Sequence, residues 1–340
     1  MPDRAPTQAD PSRPAVVVTP RARTGGQAQG AAGTEHALTC FFLRGHPRSG
    51  TNWVSRLLNL HPRIHCTGEW HLSTLLGAVD SITTRPFMVS ARPPYKRIIR
   101  DGFRGIVRDC LRASADDRPQ VTHVGDRTPA PLGEVFEGDK HILVLRDGRD
   151  VLVSFTYHNL SGKGVQLREG PLARAMKPAL DRFKADPTYF THHPAELLAC
   201  EAWVRFAASR WAQRARRDRA TTQRLNGSDA EQGPRVHTVR YEALHADVGA
   251  QLASMLRFLG LDPTQAAPVG SAEGTAPGGG VTTEDPNAYR RKGVSGDWQK
   301  YFTPDVTRWF KDEAGQALID LGYESSEAWT LVRTADPPTN

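Results

Sequence analysis

Long apolar runs are missing from this chain. Hydrophobic residue types make up 39% of its 340 residues and aromatics 8%, yet no run approaches the ~18 residues needed to cross a bilayer. Nothing near Met1 has the charged-then-apolar layout of a secretory leader. A cytoplasmic protein with no membrane partner is expected. Cysteine is scarce too: Cys40, Cys66, Cys110 and Cys200 stand far apart and form no metal-ligand spacing. Free thiols and no metal site follow as expectations. Acidic residues are in the minority, with 37 Asp and Glu against 44 Lys and Arg for a formal charge of +7. That balance suits a protein that handles anions, without saying which.

The first 36 residues hold many Pro, Ala, Thr, Arg and Gly and few large apolar groups. They read as a disordered tail, because so little apolar surface cannot offset the entropy of ordering. From Leu38 the pattern changes to a short apolar run, Cys40 to Leu43, that reads as a buried strand. Trp53, Val54, Leu57, Leu58 and Leu60 follow at helical spacing, and His61-Pro62 ends that run. Further strands are expected at Ile64 to Thr67, Val121 to Val124, His141 to Leu145 and Val236 to Val239. Helices are expected at Asp150 to His158, Leu197 to Arg217 and Asp247 to Leu259, the last closed by Gly260. The alternation argues for an α/β fold, a P-loop-type domain with a central, mainly parallel sheet flanked by helices. Residues 37–330 form one domain in this reading, with long loops near 160–195 and 264–286 and a flexible C-terminus at 331–340.

The strongest local signal is Gly45-His46-Pro47-Arg48-Ser49-Gly50-Thr51-Asn52-Trp53, placed between a strand and a helix. In that setting backbone N–H groups converge on an anion at the positive end of the helix. The glycine spacing starts like a Walker A loop, but Thr51 and Asn52 stand where Lys and Ser or Thr would be. The basic residue sits inside the loop, at Arg48. A loop without the Walker lysine suits a donor with one phosphate at that point. A second block, His141 to His158, ends an apolar strand at Arg146 and carries Ser154 on the next helix, at the sheet edge where ligands bind. Asp147, Arg149 and Asp150 can pair among themselves. A third block, Arg290-Arg291-Lys292-Gly293-Val294-Ser295-Gly296-Asp297-Trp298, sets three cations side by side after a Gly-rich loop.

Pro47 to Trp53 resembles the 5′-phosphosulfate loop of the sulfotransferase family, and the other two blocks resemble that family's 3′-phosphate segments in order and approximate spacing. The resemblance runs from about residue 39 to 305. It implies a sulfotransferase that moves a sulfuryl group from 3′-phosphoadenosine 5′-phosphosulfate (PAPS) to a hydroxyl or amine by in-line displacement, leaving adenosine 3′,5′-bisphosphate (PAP). It also implies donor contacts from Arg48, Ser49, Gly50, Thr51, Asn52, Trp53, Arg146, Ser154, Arg290, Arg291, Lys292 and Gly293. Tyr241, in Tyr241-Glu242-Ala243-Leu244, would approach the adenine. Trp53 would stack on the base or pack in the core.

Family members use either of two bases. Gly125-Asp126-Arg127-Thr128-Pro129 resembles the segment that carries a catalytic histidine in cytosolic members, but Pro129 stands in that slot and cannot take a proton. The Golgi class uses a Glu after the second strand, and Cys66-Thr67-Gly68-Glu69 supplies one. Glu69 is therefore the expected base, with His71 and His123 as substitutes. Arg48 and Arg127 would neutralise oxygen charge as the bond breaks. Two other classes compete: a P-loop kinase-like phosphotransferase, which needs the missing lysine, and a non-catalytic binder of anions or nucleotides. A nucleic-acid partner is not expected, because the cations cluster at strand ends instead of interleaving with aromatics. Arg92, Lys96, Arg97, Arg100 and Arg104 suit either an acidic acceptor or a solvated helix face. The acceptor and the oligomeric state are left open.

Overall fold

Apolar runs too short for helices become the strands. The structure is a computed structural model that describes residues 38–70, 81–82, 94–128, 136, 138–227, 233–288 and 291–330. The expected tail and C-terminus, and His71, Arg92, Pro129 and Arg290, lie outside the described residues. The strands are β1 (Thr39–Gly45), β2 (Ile64–Thr67), β3 (His123–Asp126), β4 (Lys140–Leu145) and β5 (Val236–Arg240). They form one sheet in the order β2-β3-β1-β4-β5, with every pairing parallel. β1 is central and buried from Cys40 to Gly45, as a parallel sheet covered on both faces requires.

The α-helices among the described residues are α1 (Thr51–Leu58), α2 (Pro94–Ala113), α3 (Gly148–Leu160), α4 (Pro171–Ala175), α5 (Lys177–Ala185), α6 (Tyr189–His192), α7 (Glu201–Gly227), α8 (Tyr241–Ala246), α9 (Val248–Leu259) and α10 (Pro304–Asp320). Side chains alternate across β1. Phe41 and Leu43 meet Val54, Leu57 and Leu58 of α1 and Met255 and Leu256 of α9. Cys40 and Phe42 meet Phe103, Val107 and Leu111, which recur every four residues along α2. The largest cluster joins α3, α7 and α10 through Phe155, Trp203, Trp211 and Phe310. Fully buried Trp203 lies flat on Phe155 and donates from Nε1 to Thr156 Oγ1 at 2.8 Å. Its loss to alanine would cost about 3–5 kcal/mol by the usual scale for buried aromatics.

The structure changes three expectations. Residues 160–195 are not one long irregular loop: α4, α5 and α6 occupy much of it. Pro171 and Pro178 sit at helix starts, where a missing N–H costs nothing, and Met176, Phe183 and Phe190 are buried in the main cluster. β3 begins two residues later than expected and ends on buried Asp126, whose carboxylate accepts from Arg44 Nη1 at 2.7 Å. A paired buried charge reads as a loop residue in sequence. α7 continues ten residues past Arg217 to Gly227. The segment after α9 is irregular as expected, apart from 3-10 turns at Pro263–Gln265 and Pro277–Gly279. Within α2, Arg104 donates to Asp101 at 3.0 Å and Arg97 is exposed, as a solvated face would have it.

Candidate active site

β1, β4 and β5 all end at the same sheet edge, and β1 is where the strand order reverses direction. Open α/β sheets bind ligands at such a point. A cleft of about 690 Å³, its open mouth included, lies there, lined by Arg48, Gly50, Thr51, Asn52, Trp53, Arg146, Ser154, Tyr241, Gly278, Gly279, Arg291, Lys292, Gly293 and Val294.

The floor is the loop between β1 and α1. Gly50 precedes α1 at φ +99°, and a Cβ there would stand 2.6 Å from the Tyr241 ring, so only glycine fits. No side chain caps α1, so the positive end of the helix is left to an anion, although the Trp53 N–H already donates to the Gly50 carbonyl at 3.0 Å. Arg48 holds φ +76°, a left-handed value that costs a non-glycine residue about 1–3 kcal/mol unless its surroundings fix it. Two bonds do: Arg48 Nε donates to Ser154 Oγ at 3.1 Å, and the Arg48 carbonyl accepts from Arg146 Nη1 at 3.1 Å. Arg146 Nη2 donates at 2.9 Å to the carbonyl of Val294, in the opposite wall. The same guanidinium stacks 4.2 Å above the Tyr241 ring. Burial pushes the Tyr241 phenol above its usual range, against the pull of Arg146, so it is neutral at pH 7.

The third block forms the far wall. Arg291 is buried and pairs with Glu284 and, at 2.5 Å, with Asp297; it also donates to Tyr301 Oη at 3.1 Å. Lys292 reaches Asp297 at 2.9 Å and Glu284 at 3.1 Å. Burial disfavours the Lys292 charge, but the two carboxylates outweigh it and raise its pKa. The adjacent cations are thus paired within the chain, with Lys292 the more exposed of the two. Asp150 fixes the wall to α3 by accepting from the N–H groups of Gly296 at 2.7 Å and Trp298 at 3.0 Å. Gly278 and Gly293 touch backbone to backbone, since a Cβ on Gly293 would fall 2.1 Å from the Gly278 carbonyl oxygen.

Of the expected donor residues, Ser49 is buried and does not line the cleft. Arg149 is structural: it pairs with Asp147 at 2.7 Å and Glu324 at 2.5 Å, between the rings of Trp298 and Trp329. Glu69 and Arg127 do not line the cleft. They meet each other at 3.5 Å where β2 and β3 end, both only partly exposed. His123 is the first residue of β3, at the sheet edge away from the cleft. Sequence reasoning missed Asp150 as the wall's anchor, the lining role of Gly278 and Gly279, and His245, whose ring packs on Trp53 and Tyr241. A tyrosine followed four residues later by histidine on one helix face was the available signal.

Four buried polar atoms at this site have no hydrogen-bond partner among the described residues: Asn52 Oδ1, Trp53 Nε1, Arg146 Nε and His245 Nε2. Folded proteins seldom leave such atoms unpaired.

The sulfotransferase domain family matches residues 38–322. Protein-tyrosine sulfotransferase A of Caenorhabditis elegans is 26% identical over 141 residues, 38% of this chain and 36% of that protein, so the match spans about a third of that relative. Mouse sulfotransferase SULT7A1, solved in complex with PAP, is 17% identical with a TM-score of 0.46, covering 84% of this chain and 87% of its own. The sulfotransferase domain from the curacin biosynthetic pathway is 16% identical with a TM-score of 0.47, covering 84% of this chain and 98% of its own.

Proposed function

The chain belongs to the sulfotransferase-domain family, and from that membership we propose that it transfers a sulfuryl group from PAPS to an acceptor hydroxyl or amine. One observation carries the reading. Arg48, Arg146, Ser154 and Lys292 come from three distant stretches of sequence and converge on one cleft at the uncapped start of α1. That arrangement fits a nucleotide with anionic groups at two ends of its ribose. The orphaned Arg146 Nε and Asn52 Oδ1 fit a polar ligand that completes their bonding.

PAPS supplies an electrophilic sulfuryl group carried on a phosphate leaving group. The amides of the first turn of α1 and Arg48 would hold the 5′ end. Arg146, Ser154 and Lys292 would hold the 3′-phosphate, and the wall of Gly293 and Val294 would keep water out. In this proposal Glu69 accepts the acceptor's proton and Arg127 orients the Glu69 carboxylate while countering oxygen charge. A cytoplasmic location is proposed with it, consistent with four cysteines that are all free.

Thermal shift separates this reading from its competitors. PAP should raise the melting temperature by several degrees at saturating concentration. ATP with Mg²⁺ and a single-stranded oligonucleotide should leave it nearly unchanged. Stabilisation by ATP with Mg²⁺ and none by PAP would overturn the donor assignment in favour of a kinase-like enzyme.

A further inference from the structure

The cleft has a back as well as a front, and one short segment runs along it. α10 ends at Asp320, and Gly322, at φ +69°, turns the chain out of the helix while the Tyr323 N–H returns to the Leu318 carbonyl at 2.8 Å. Residues 321–329 then meet the rear of three stretches that build the site. Arg240, beside Tyr241, donates to the Leu321 carbonyl and lies 4.7 Å over the Tyr323 ring. Tyr323 Oη donates to Glu242 Oε2 at 3.3 Å, and the other Glu242 oxygen accepts from the Asp147 N–H at 2.9 Å. Glu324 accepts from Arg149 at 2.5 Å. Trp329 is buried, meets Trp298 edge-on at 5.9 Å and lies 4.7 Å from the Arg149 guanidinium. Lys311 of α10 ties down the end of the segment through the carbonyls of Glu327, at 2.8 Å, and Trp329, at 2.6 Å.

None of these residues lines the cleft. Each stands close in sequence to one that does: Arg149 follows Arg146 in the same turn, and Trp298 follows Lys292 in the far wall. At the cleft, turn and wall meet through Arg146 Nη2 and the Val294 carbonyl, 2.9 Å apart. Behind it, the Arg149 guanidinium lies 4.0 Å from the Trp298 ring, with Trp329 as its second aromatic neighbour and Asp147 and Glu324 as its anions. Such a joint is stiff while water is kept out, because both its cation–π and its ionic contacts weaken on solvation. Loss of the Trp329 ring would let water onto the guanidinium and take a neighbour from Trp298. Resting on the donor reading above, we propose that Trp329 is a positioning residue. It fixes the wall that carries Lys292 against the turn that carries Arg146, and so sets the spacing of the two cations assigned to the 3′-phosphate. A shift of about 1 Å between such groups is enough to weaken what they hold.

Titration calorimetry on the full chain, well below its melting temperature, tests this with two probes: PAP, and adenosine 5′-phosphosulfate, which lacks the 3′-phosphate. Trp329→Ala should weaken PAP about 10-fold and adenosine 5′-phosphosulfate about 2-fold or less. Trp329→Phe, which keeps a ring beside Arg149, should restore PAP affinity to within about 3-fold of wild type. Lys311→Met, a change remote from the cleft that releases the end of the segment, should shift the two probes in the same unequal way and decides the matter if the alanine variant does not fold. Unchanged PAP affinity in the variants overturns the proposal. So does an equal loss for both probes, which would mean a general loosening of the fold. If the wild-type protein binds neither probe, the donor reading itself falls and this one with it.

Discussion

Arg146 carries several roles on one side chain, and they can be separated by the ligand used. Its guanidinium joins the carbonyls of Arg48 and Val294 and leaves Nε unpaired at the cleft. Arg146→Ala should weaken PAP binding about 10- to 100-fold by calorimetry, the range for a lost charge-assisted contact. Binding of adenosine 5′-phosphosulfate, which lacks the 3′-phosphate, should change by about 3-fold or less. An equal loss for both would mean that Arg146 only holds the loops. Glu69→Gln should lower kcat by about 10²- to 10⁴-fold, the usual worth of a general base. PAP affinity should stay within about 2-fold, because Glu69 does not line the cleft. Unchanged turnover would remove Glu69 as the base, and His123 could not replace it: three residues of strand, about 10 Å, separate it from the end of β3. At this scale the loop from Gly45 to Trp53 is legible in sequence, because glycine spacing between a strand and a helix has a narrow set of uses. Trp329 is not, since a single tryptophan after the last helix looks the same whether it braces a site or fills the core.

Among elements, strands and their order of appearance follow from apolar runs, but two features hide. α4 to α6 carry too few apolar residues for a periodic pattern, and their burial comes from single side chains such as Phe183 and Phe190 reaching the main cluster. β3 ends on a charge that is stabilised by a tertiary partner, Arg44, and by the hydroxyl of Thr128. The contact between the α1 loop and Tyr241 at the start of α8 is a tight junction of the site. Gly50→Ala must fit a methyl 2.6 Å from the Tyr241 ring at a left-handed φ. Denaturant titration should show a loss of about 2–4 kcal/mol, combining overpacking with backbone strain, and PAP binding should fall in the same variant.

For the whole molecule, histidine burial sets the acid limit. His46 and His158 are each pushed down to about 4, chiefly by burial, with nearby arginines assisting. Burial lowers His61, His65, His123, His237 and His245 as well. Each binds its proton in the unfolded chain near pH 6.5 but resists it when folded, so stability falls as pH drops from about 6.5 toward 4. His46, almost wholly buried, accounts for about 3 kcal/mol of this by itself. Asp150 acts the other way: burial raises its carboxyl to about 6, so it loses stability as pH rises from about 4 to 6. Seven histidines against one carboxyl give a net acid lability. Calorimetric melting should show Tm falling steeply between pH 6.5 and 4.5, and His46→Asn should flatten that slope.

One guanidinium spans the two sides of the cleft, from the Arg48 carbonyl to the Val294 carbonyl. The jaws of the clamp therefore share a pin, and neither can swing outward while it is fastened. If the cleft holds the proposed donor, release of the spent nucleotide would require that fastening to be undone, and Arg146→Lys, which cannot span both carbonyls, should speed PAP dissociation in a stopped-flow displacement experiment.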